Sequence, residues 1–345
     1  MEVFSHPATS SPLQRALRAT LPYSITLAYR TQHANRTEHA QILATFSPDT
    51  ETIPKCWAAA YLDRAMRPET ELWIFAAGEM PNHCSSQERG FCQECRKAVL
   101  ALLDYMSTLS TPPMRVDNQP ALDLAYQHEK EYPEPGPDGT YPPSPGTYMR
   151  HLLLPKVVLV GACHEHIVQI MRDTKLTRRD MPGEDLQLNK FLFKLSDLPE
   201  TKALPKGLRW GEMREQDIET VKARTSIPRS KATLLSLKSV GVFEEESDEP
   251  IAWTFLGLDG SLTTLHTERD YRGKGIAKAV AAKICREHAP GLAVDNEGNA
   301  WSHADVYMGN VQSEGVCRSL GGQALWKDYW VRIDLAGAGS LASST

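Results

Sequence analysis

Short apolar runs and helical spacings alternate along this chain. Cys56–Leu62 (CWAAAYL) and Glu71–Ala77 (ELWIFAA) predict two strands joined by a turn at Arg67-Pro68. From Cys95 to Met106 the apolar residues Val99, Leu102, Leu103 and Met106 recur at helical spacing. Leu152–Val160 (LLLPKVVLV) predicts a buried strand ended by Gly161, with a helix following from about Glu165 to Arg172. The alternation of Lys190–Leu195 (KFLFKL) predicts another strand. After Leu208 the predicted order is strand, helix, three strands, helix, strand, helix, strand. Those strands fall near Leu208–Glu212, Val240–Glu245, Ile251–Leu258, Ser261–Thr267, Ala304–Met308 and Tyr329–Asp334. Asp259-Gly260 between two of them is a hairpin turn signal.

Two stretches interrupt the pattern. Residues 131–146, EYPEPGPDGTYPPSPG, hold six prolines and three glycines and cannot form a helix or a central strand. Leu198–Lys206 (LPETKALPK) has two prolines and reads as a connector. We therefore expect an N-terminal α/β domain over 1–200 with a Pro-rich loop at 131–146, a second domain over 201–335, and a flexible tail, AGAGSLASST, over 336–345.

Composition narrows the picture only modestly. The chain has 345 residues, 41% hydrophobic and 23% charged, as expected for a globular core. A net charge of −5 gives no general attraction to nucleic acid or anionic lipid, so a charged ligand must be held by a few placed donors. No apolar run reaches the roughly 18 residues that a membrane helix needs. The N-terminus lacks the basic start and apolar block of a secretory signal, while Arg15 and Arg18 among Ser and Thr leave an organellar transit peptide as a weaker alternative. The seven cysteines are expected to be reduced thiols in a cytoplasmic protein.

The segment that carries chemistry is Leu262–Ala282, LTTLHTERDYRGKGIAKAVAA. A strand ends at Thr267, a loop follows, and a helix begins near Ile276 whose buried face is marked by Ile276, Val280 and Ile284. A helix N-terminus presents unpaired N–H groups and partial positive charge. Gly273 and Gly275 let the backbone approach a phosphate closely, and Arg272 and Lys274 add charge. The dinucleotide spacing G-x-G-x-x-G fails at Lys278, and the Walker-type loop fails because no Gly-Lys-Ser/Thr follows four spacers.

Arg272, Gly275 and Ala277 resemble the Arg/Gln-x-x-Gly-x-Gly/Ala signature of the GNAT superfamily of acyl-CoA N-acyltransferases, and Asp270-Tyr271 fits that superfamily's approach to the loop. Downstream, Asn310, Ser313, Leu320 and Gly321 match its strand–Asn–helix–Gly order. LPKGLRWGEMREQDIETVKA also resembles the opening of the C-terminal domain in glycine N-acyltransferase-like proteins, which pair a degenerate GNAT-like half with an active one. The resemblance spans Leu208–Leu335. It implies a mixed, centrally splayed β-sheet flanked by helices, of α/β (α+β) class, with an N-terminal α/β half as a candidate degenerate GNAT-like domain. It further implies acetyl-CoA or another acyl-CoA as cosubstrate. Arg272, Gly273, Lys274, Gly275, Ile276 and Ala277 would hold the diphosphate, Leu265 and Thr267 the pantetheine arm, and Asn310 and Ser313 its far side. For Asn310 alone a helix-capping role stays open.

Direct transfer needs an amine freed of its proton, a polarised thioester and a proton for the departing thiolate. Where many GNAT proteins place a Glu base, this chain has Ser261; where they place a general-acid Tyr, it has Cys317. Asp259, His266 and His303 are the remaining candidates for the base, and Cys317 for the acid, each with a structural role as the competing reading. His83, Cys84, Cys92 and Cys95 (H-C-x7-C-x2-C) offer four possible zinc ligands. Adjacent His83 and Cys84 are awkward as joint ligands, so free thiols and no metal are expected. Cys163-His164-Glu165-His166 places its two His on different helical faces. Residues 244–249 (EEESDE) read as a solvated hairpin tip, and Trp253, Trp301, Trp326 and Trp330 as core or acceptor-site walls. The expected function is acetyl or short-acyl transfer from coenzyme A to a small-molecule amine. A catalytically silent acyl-CoA-binding protein and a protein N-acetyltransferase are the alternatives.

Overall fold

A computed structural model describes residues 1–83, 90–178, 180, 186–201, 203–225 and 229–343. The chain divides into two units. The first comprises Met1–Leu27, Arg36–Gln187 and Trp326–Thr345; the second comprises Ala28–Asn35 and Leu188–Leu325.

In the first unit, runs of small and apolar residues form strands buried on both faces, as β3 shows with AAAYL. The chain runs through β1 (Phe4–Ser5), α1 (Ser11–Ala19), the start of α2 (Ile25–Gln32), which from Ala28 on belongs to the second unit, then β2 (Gln41–Ala44), β3 (Ala58–Leu62) and β4 (Leu72–Ala76). It continues through α3 (Gln93–Thr108), α4 (Gln119–Glu131), α5 (Pro145–Met149), β5 (Val157–His164) and α6 (Glu165–Asp173). β1 to β4 pair antiparallel in sequence order, and β5 joins β4 in parallel. The expected helix at Cys95–Met106 is α3, whose Val99, Leu102, Leu103 and Met106 join the core with Ile167 and Met171 of α6. The Pro-rich segment separates α4 from α5 and holds neither helix nor strand between Tyr132 and Ser144.

One boundary differs from expectation. β5 does not stop at Gly161 but runs on to His164. The glycine serves close approach instead: a Cβ there would lie 2.5 Å from Thr70 Cγ2 and 3.0 Å from Trp330 Nε1. At the C-terminus, the segment expected to be a flexible tail is tied at three points. Asp104 of α3 accepts the N–H groups of Gly339, Leu341 and Ala342 at 2.8, 3.0 and 2.8 Å.

His151 gives this unit a testable pH dependence. Its Nδ1 donates to the Tyr148 carbonyl at 2.9 Å, and Nε2 is buried. Burial, then the nearby Arg332, lowers its pKa to about 3. The unfolded chain, with a pKa of about 6.5, therefore binds more protons between these values. The contribution to stability is full above the unfolded pKa and is lost as pH falls toward about 3. Stability should fall by up to roughly 1.4 kcal/mol per pH unit below about 6.5 from this group alone. Urea titrations between pH 6.5 and 4.5 should show a shallower slope in His151→Leu; an unchanged slope would remove His151 from the account.

The second unit carries the strands of the GNAT-like segment. After Ala28–Asn35 it takes up the chain at β6 (Gln187–Lys194), whose residues from Leu188 on pair antiparallel with the later β11. Then come β7 (Leu208–Gly211), α7 (Ile218–Ala223), α8 (Lys231–Ser236), β8 (Ser239–Glu244), β9 (Pro250–Leu256) and β10 (Leu262–Thr267). α9 (Ile276–His288), β11 (Trp301–Tyr307) and α10 (Val311–Ser319) follow, and β12 (Gln323–Asp334) closes the series. From Trp326 on, β12 belongs to the first unit, where it pairs antiparallel with β5. β7, β8, β9 and β10 form an antiparallel meander. The architecture is the expected mixed α/β fold, with mostly antiparallel sheet flanked by helices. Among the described residues no helix is long and apolar enough to cross a membrane.

Candidate functional site

α9 is oriented by its apolar face: Ile276, Val280 and Ile284 are buried, as their spacing predicts. Its N-terminus is therefore fixed, and helix geometry leaves the N–H groups of Ile276, Ala277 and Lys278 without acceptors inside the helix. The first ladder bond here runs from Ala279 N to Gly275 O at 3.1 Å. Gly275 is the N-cap at φ 78°, and Gly273 has φ 75°. Both lie in the left-handed region that glycine enters without penalty. A Cβ at either would meet nothing within 4 Å, so the loop is open toward solvent. Arg272 Nε donates to the Thr267 carbonyl at 2.9 Å, and Lys274 Nζ lies 4.9 Å from the Tyr271 ring centroid. Tyr271 OH donates to Glu244 at the start of the acidic hairpin tip.

β10 leads into this loop with an irregularity absent from the sequence reading. Thr263 pairs with Phe255 and His266 with Trp253, so Thr264 and Leu265 together oppose Thr254 alone. This is a β-bulge, and Thr264 sits at φ 56°, a costly conformation for a β-branched residue. Its effect is to take Leu265 out of the regular ladder with β9. On its other side, Ser261, just before β10, makes an isolated parallel bridge to His303 of β11; among the described residues no bridge joins β10 itself to β11. The Thr267 carbonyl, expected to face the pantetheine, already accepts from Arg272.

Asp259, His303 and Ser261 form one buried group. Asp259 Oδ1 accepts from Ser261 Oγ at 2.7 Å and Ser261 N at 3.1 Å, bracing the turn at Gly260. Gly260 is required there twice over, because φ is 80° and a Cβ would lie 2.3 Å from the Tyr29 ring. Burial alone would raise the Asp259 carboxyl, but the hydrogen bonds from Ser261 and the nearby Lys190 outweigh it and hold it below its usual range. His303 donates from Nε2 to the Asp259 carbonyl at 2.8 Å, while Nδ1 faces Lys190 Nζ at 3.3 Å. Burial, then Lys190, lowers its pKa, so the ring is neutral. Lys190 Nζ in turn lies 2.5 Å from Asp305 Oδ1.

His266 is placed differently, beside the bulge, with its side chain 16% exposed. It stacks on Trp253 at 4.7 Å between centroids, and its Nε2 lies 3.5 Å from Glu268 Oε1. Burial lowers its pKa, with Glu268 opposing, so it is a neutral imidazole near neutral pH. Cys317 is buried in α10, and burial followed by Asp305 pushes its thiol up to about 12, so it stays a neutral thiol whose S–H can donate a weak hydrogen bond. Asn310 caps α10 by accepting from Ser313 N at 3.1 Å, so capping, the competing reading for that residue, is realised. The structure therefore brings Leu265, His266, Thr267 and Arg272–Ala277 together along one strand–loop–helix turn. Asp259 and His303 sit at the strands' buried start. Two cavities, of about 570 and 440 Å³, lie elsewhere and contain none of these residues.

A search of curated proteins found no match. Among solved structures, a Drosophila protein determined as a structural genomics target is similar at 12% identity and a TM-score of 0.57, over 96% of this chain and 98% of that one. A GCN5-related N-acetyltransferase from Sphaerobacter thermophilus is 11% identical with a TM-score of 0.44, over 96% of both chains. A tandem GNAT protein from the clavulanic acid biosynthesis pathway is 10% identical with a TM-score of 0.42, over 96% and 97%. The family model described as FR47-like protein matches residues 239–331, which contain the glycine loop, α9 and α10. The model for the acyl-CoA N-acyltransferase verG N-terminal domain matches residues 1–191, more than half of the sequence, and the chain belongs to that family of acyl-CoA N-acyltransferases.

Proposed function

We propose that the protein transfers an acetyl or short acyl group directly from coenzyme A to the amine of a small molecule, acting in the cytoplasm. The observation that carries this reading is the α9 N-terminus: free amides behind two left-handed glycines, with open space above them and a bulged strand leading in. Such an end binds a diphosphate without any side-chain rearrangement. The N–H groups of Ile276 and Ala277, with Arg272 and Lys274, would take the diphosphate of acetyl-CoA. Leu265, freed from the β9 ladder, would pair with the pantetheine amides. Asn310 and Ser313 at the head of α10 would flank the arm from the β11 side. In this arrangement the first unit is a degenerate GNAT-like half, as in glycine N-acyltransferase-like proteins.

Of the candidates for the base, His266 fits best, because Asp259 and His303 are committed to buried hydrogen bonds. A neutral imidazole accepts the ammonium proton, with Glu268 stabilising the cation that results. Cys317, neutral because burial raises its thiol, is the candidate S–H hydrogen-bond donor to the departing coenzyme A thiolate, which takes its proton from solvent or takes the amine's proton held on His266. The second reading, a silent acyl-CoA binder, is favoured by the same burial of Asp259, Ser261 and His303. One experiment separates the two: calorimetric binding of acetyl-CoA, followed by release of free thiol in the presence of a panel of small amines. Turnover with any amine supports the transferase, binding without turnover supports the silent binder, and no binding of acyl-CoA refutes both.

A further inference from the structure

Outside the acyl-transfer machinery, the first unit gathers four side chains whose spacing in the sequence does not announce them. Cys56 lies two residues before β3; His83 follows β4; Cys92 is the N-cap of α3 and Cys95 sits in that helix's first turn. One ligand atom from each of the four lies within 4.8 Å of all the others. Cys84, the second residue of the H-C pair singled out in the sequence, lies outside the described residues, and Cys56, 27 residues before His83, stands in the fourth place.

The distances discriminate between explanations. Cys56 Sγ to Cys92 Sγ is 3.7 Å, far beyond the roughly 2.05 Å of a disulfide. Cys56 Sγ to His83 Nε2 is 3.6 Å. A tetrahedral zinc ion with Zn–S of about 2.3 Å and Zn–N of about 2.0–2.1 Å separates its ligands by about 3.8 Å (S to S) and about 3.6 Å (S to N). The observed pairs match that tetrahedron, and a Cys3His set is a known structural zinc donor set. Cys92-x2-Cys95 at a helix start has the short spacing such sites use. Behind the cluster the packing is close, since a Cβ on Gly78 would come 2.9 Å from the Phe91 ring and 3.1 Å from Cys95 Cβ. Lys55, beside Cys56, acts electrostatically on both Cys56 and His83 and would offset the charge of three thiolates around one dication.

We propose that Cys56, His83, Cys92 and Cys95 hold a structural zinc ion that fastens the start of β3 and the chain after β4 to the N-terminus of α3. Four protein ligands leave no open position, so the ion has no part in acyl transfer and serves folding. The site is independent of the acyl-CoA reading, because all four ligands belong to the first unit.

The test is metal analysis of the full chain, produced in zinc-supplemented medium and purified without chelator. About one zinc per chain is expected, and cobalt substitution should give the intense visible bands of a tetrahedral thiolate site. Cys56→Ala and Cys92→Ala should each lose the metal, while Cys84→Ala should keep it. Should the first two variants fail to fold, thiol titration of the wild-type chain decides instead: three further cysteines become reactive when a chelator strips the ion. A wild-type chain that is metal-free and gives no cobalt bands would overturn the site, as would a disulfide in place of the metal, zinc retained by Cys56→Ala, or zinc lost from Cys84→Ala.

Discussion

Replacing Lys190 by methionine is expected to lower the unfolding free energy by roughly 3–5 kcal/mol, because it strands a buried carboxylate. Lys190 of β6 and Asp305 of β11 stand opposite each other in the antiparallel register, and their side chains are only 1% and 2% exposed. The ammonium and the carboxylate oxygen are 2.5 Å apart. The same ammonium faces Nδ1 of the neutral His303, whose other nitrogen braces the turn at Asp259. Removing the cation leaves Asp305 facing only the His303 ring, whose Nδ1 is 3.8 Å from Oδ2, in a low-dielectric site; removing both charges does not. Lys190→Met combined with Asp305→Leu should therefore recover most of the loss, since buried pairs replaced by apolar residues of similar size are often neutral or stabilising. Urea unfolding followed through Trp301 at the start of β11 measures both variants. A single substitution costing less than about 1 kcal/mol, the scale of an exposed pair, would show that the pair is solvated in solution.

That pair shows where sequence reading stops. The order of elements after Leu208 is legible, apart from the second short helix α8 before β8, because each strand and longer helix carries its own period, and Ile276, Val280 and Ile284 mark the buried face of α9 without outside help. The glycine loop was legible for the same reason: its chemistry is local, written in consecutive residues. Features that depend on register were not. Nothing near Lys190 announces that a residue 115 positions later lies across the ladder from it, because an isolated lysine in an alternating strand reads as solvent-facing. The bulge at Thr264–Leu265 was hidden too, since threonine is an ordinary strand residue and only the pairing with Thr254 exposes the extra one. Glycine punctuates strands and so predicts a stop at Gly161, whereas close approach by Thr70 and Trp330 is a tertiary fact. Local spacing links His83 to Cys95 but does not reach Cys56, 27 residues before His83, which only the fold brings beside them.

The second large effect concerns the loop before α9. Gly275→Glu is expected to weaken acetyl-CoA binding by at least about 100-fold, which corresponds to about 2.7 kcal/mol. Two contributions add. The carboxylate would stand at the helix end where the diphosphate is proposed to sit, replacing attraction to the N-terminal amides by repulsion. Its side chain would also occupy the space that is open above the loop, where a Cβ now meets nothing within 4 Å. Because that space is empty, the substitution has no clash with the protein itself; its structural cost is the left-handed backbone at φ 78°, roughly 1 kcal/mol for a residue with a Cβ. Gly275→Ala carries the same backbone cost without charge or bulk, and it should bind within about tenfold of wild type. The difference between the two variants, measured by calorimetry on chains with unchanged circular dichroism, isolates the ligand's share. Affinity in Gly275→Glu within about threefold of wild type would mean that the diphosphate binds somewhere other than this helix end, and the assignment of Arg272–Ala277 would fall with it.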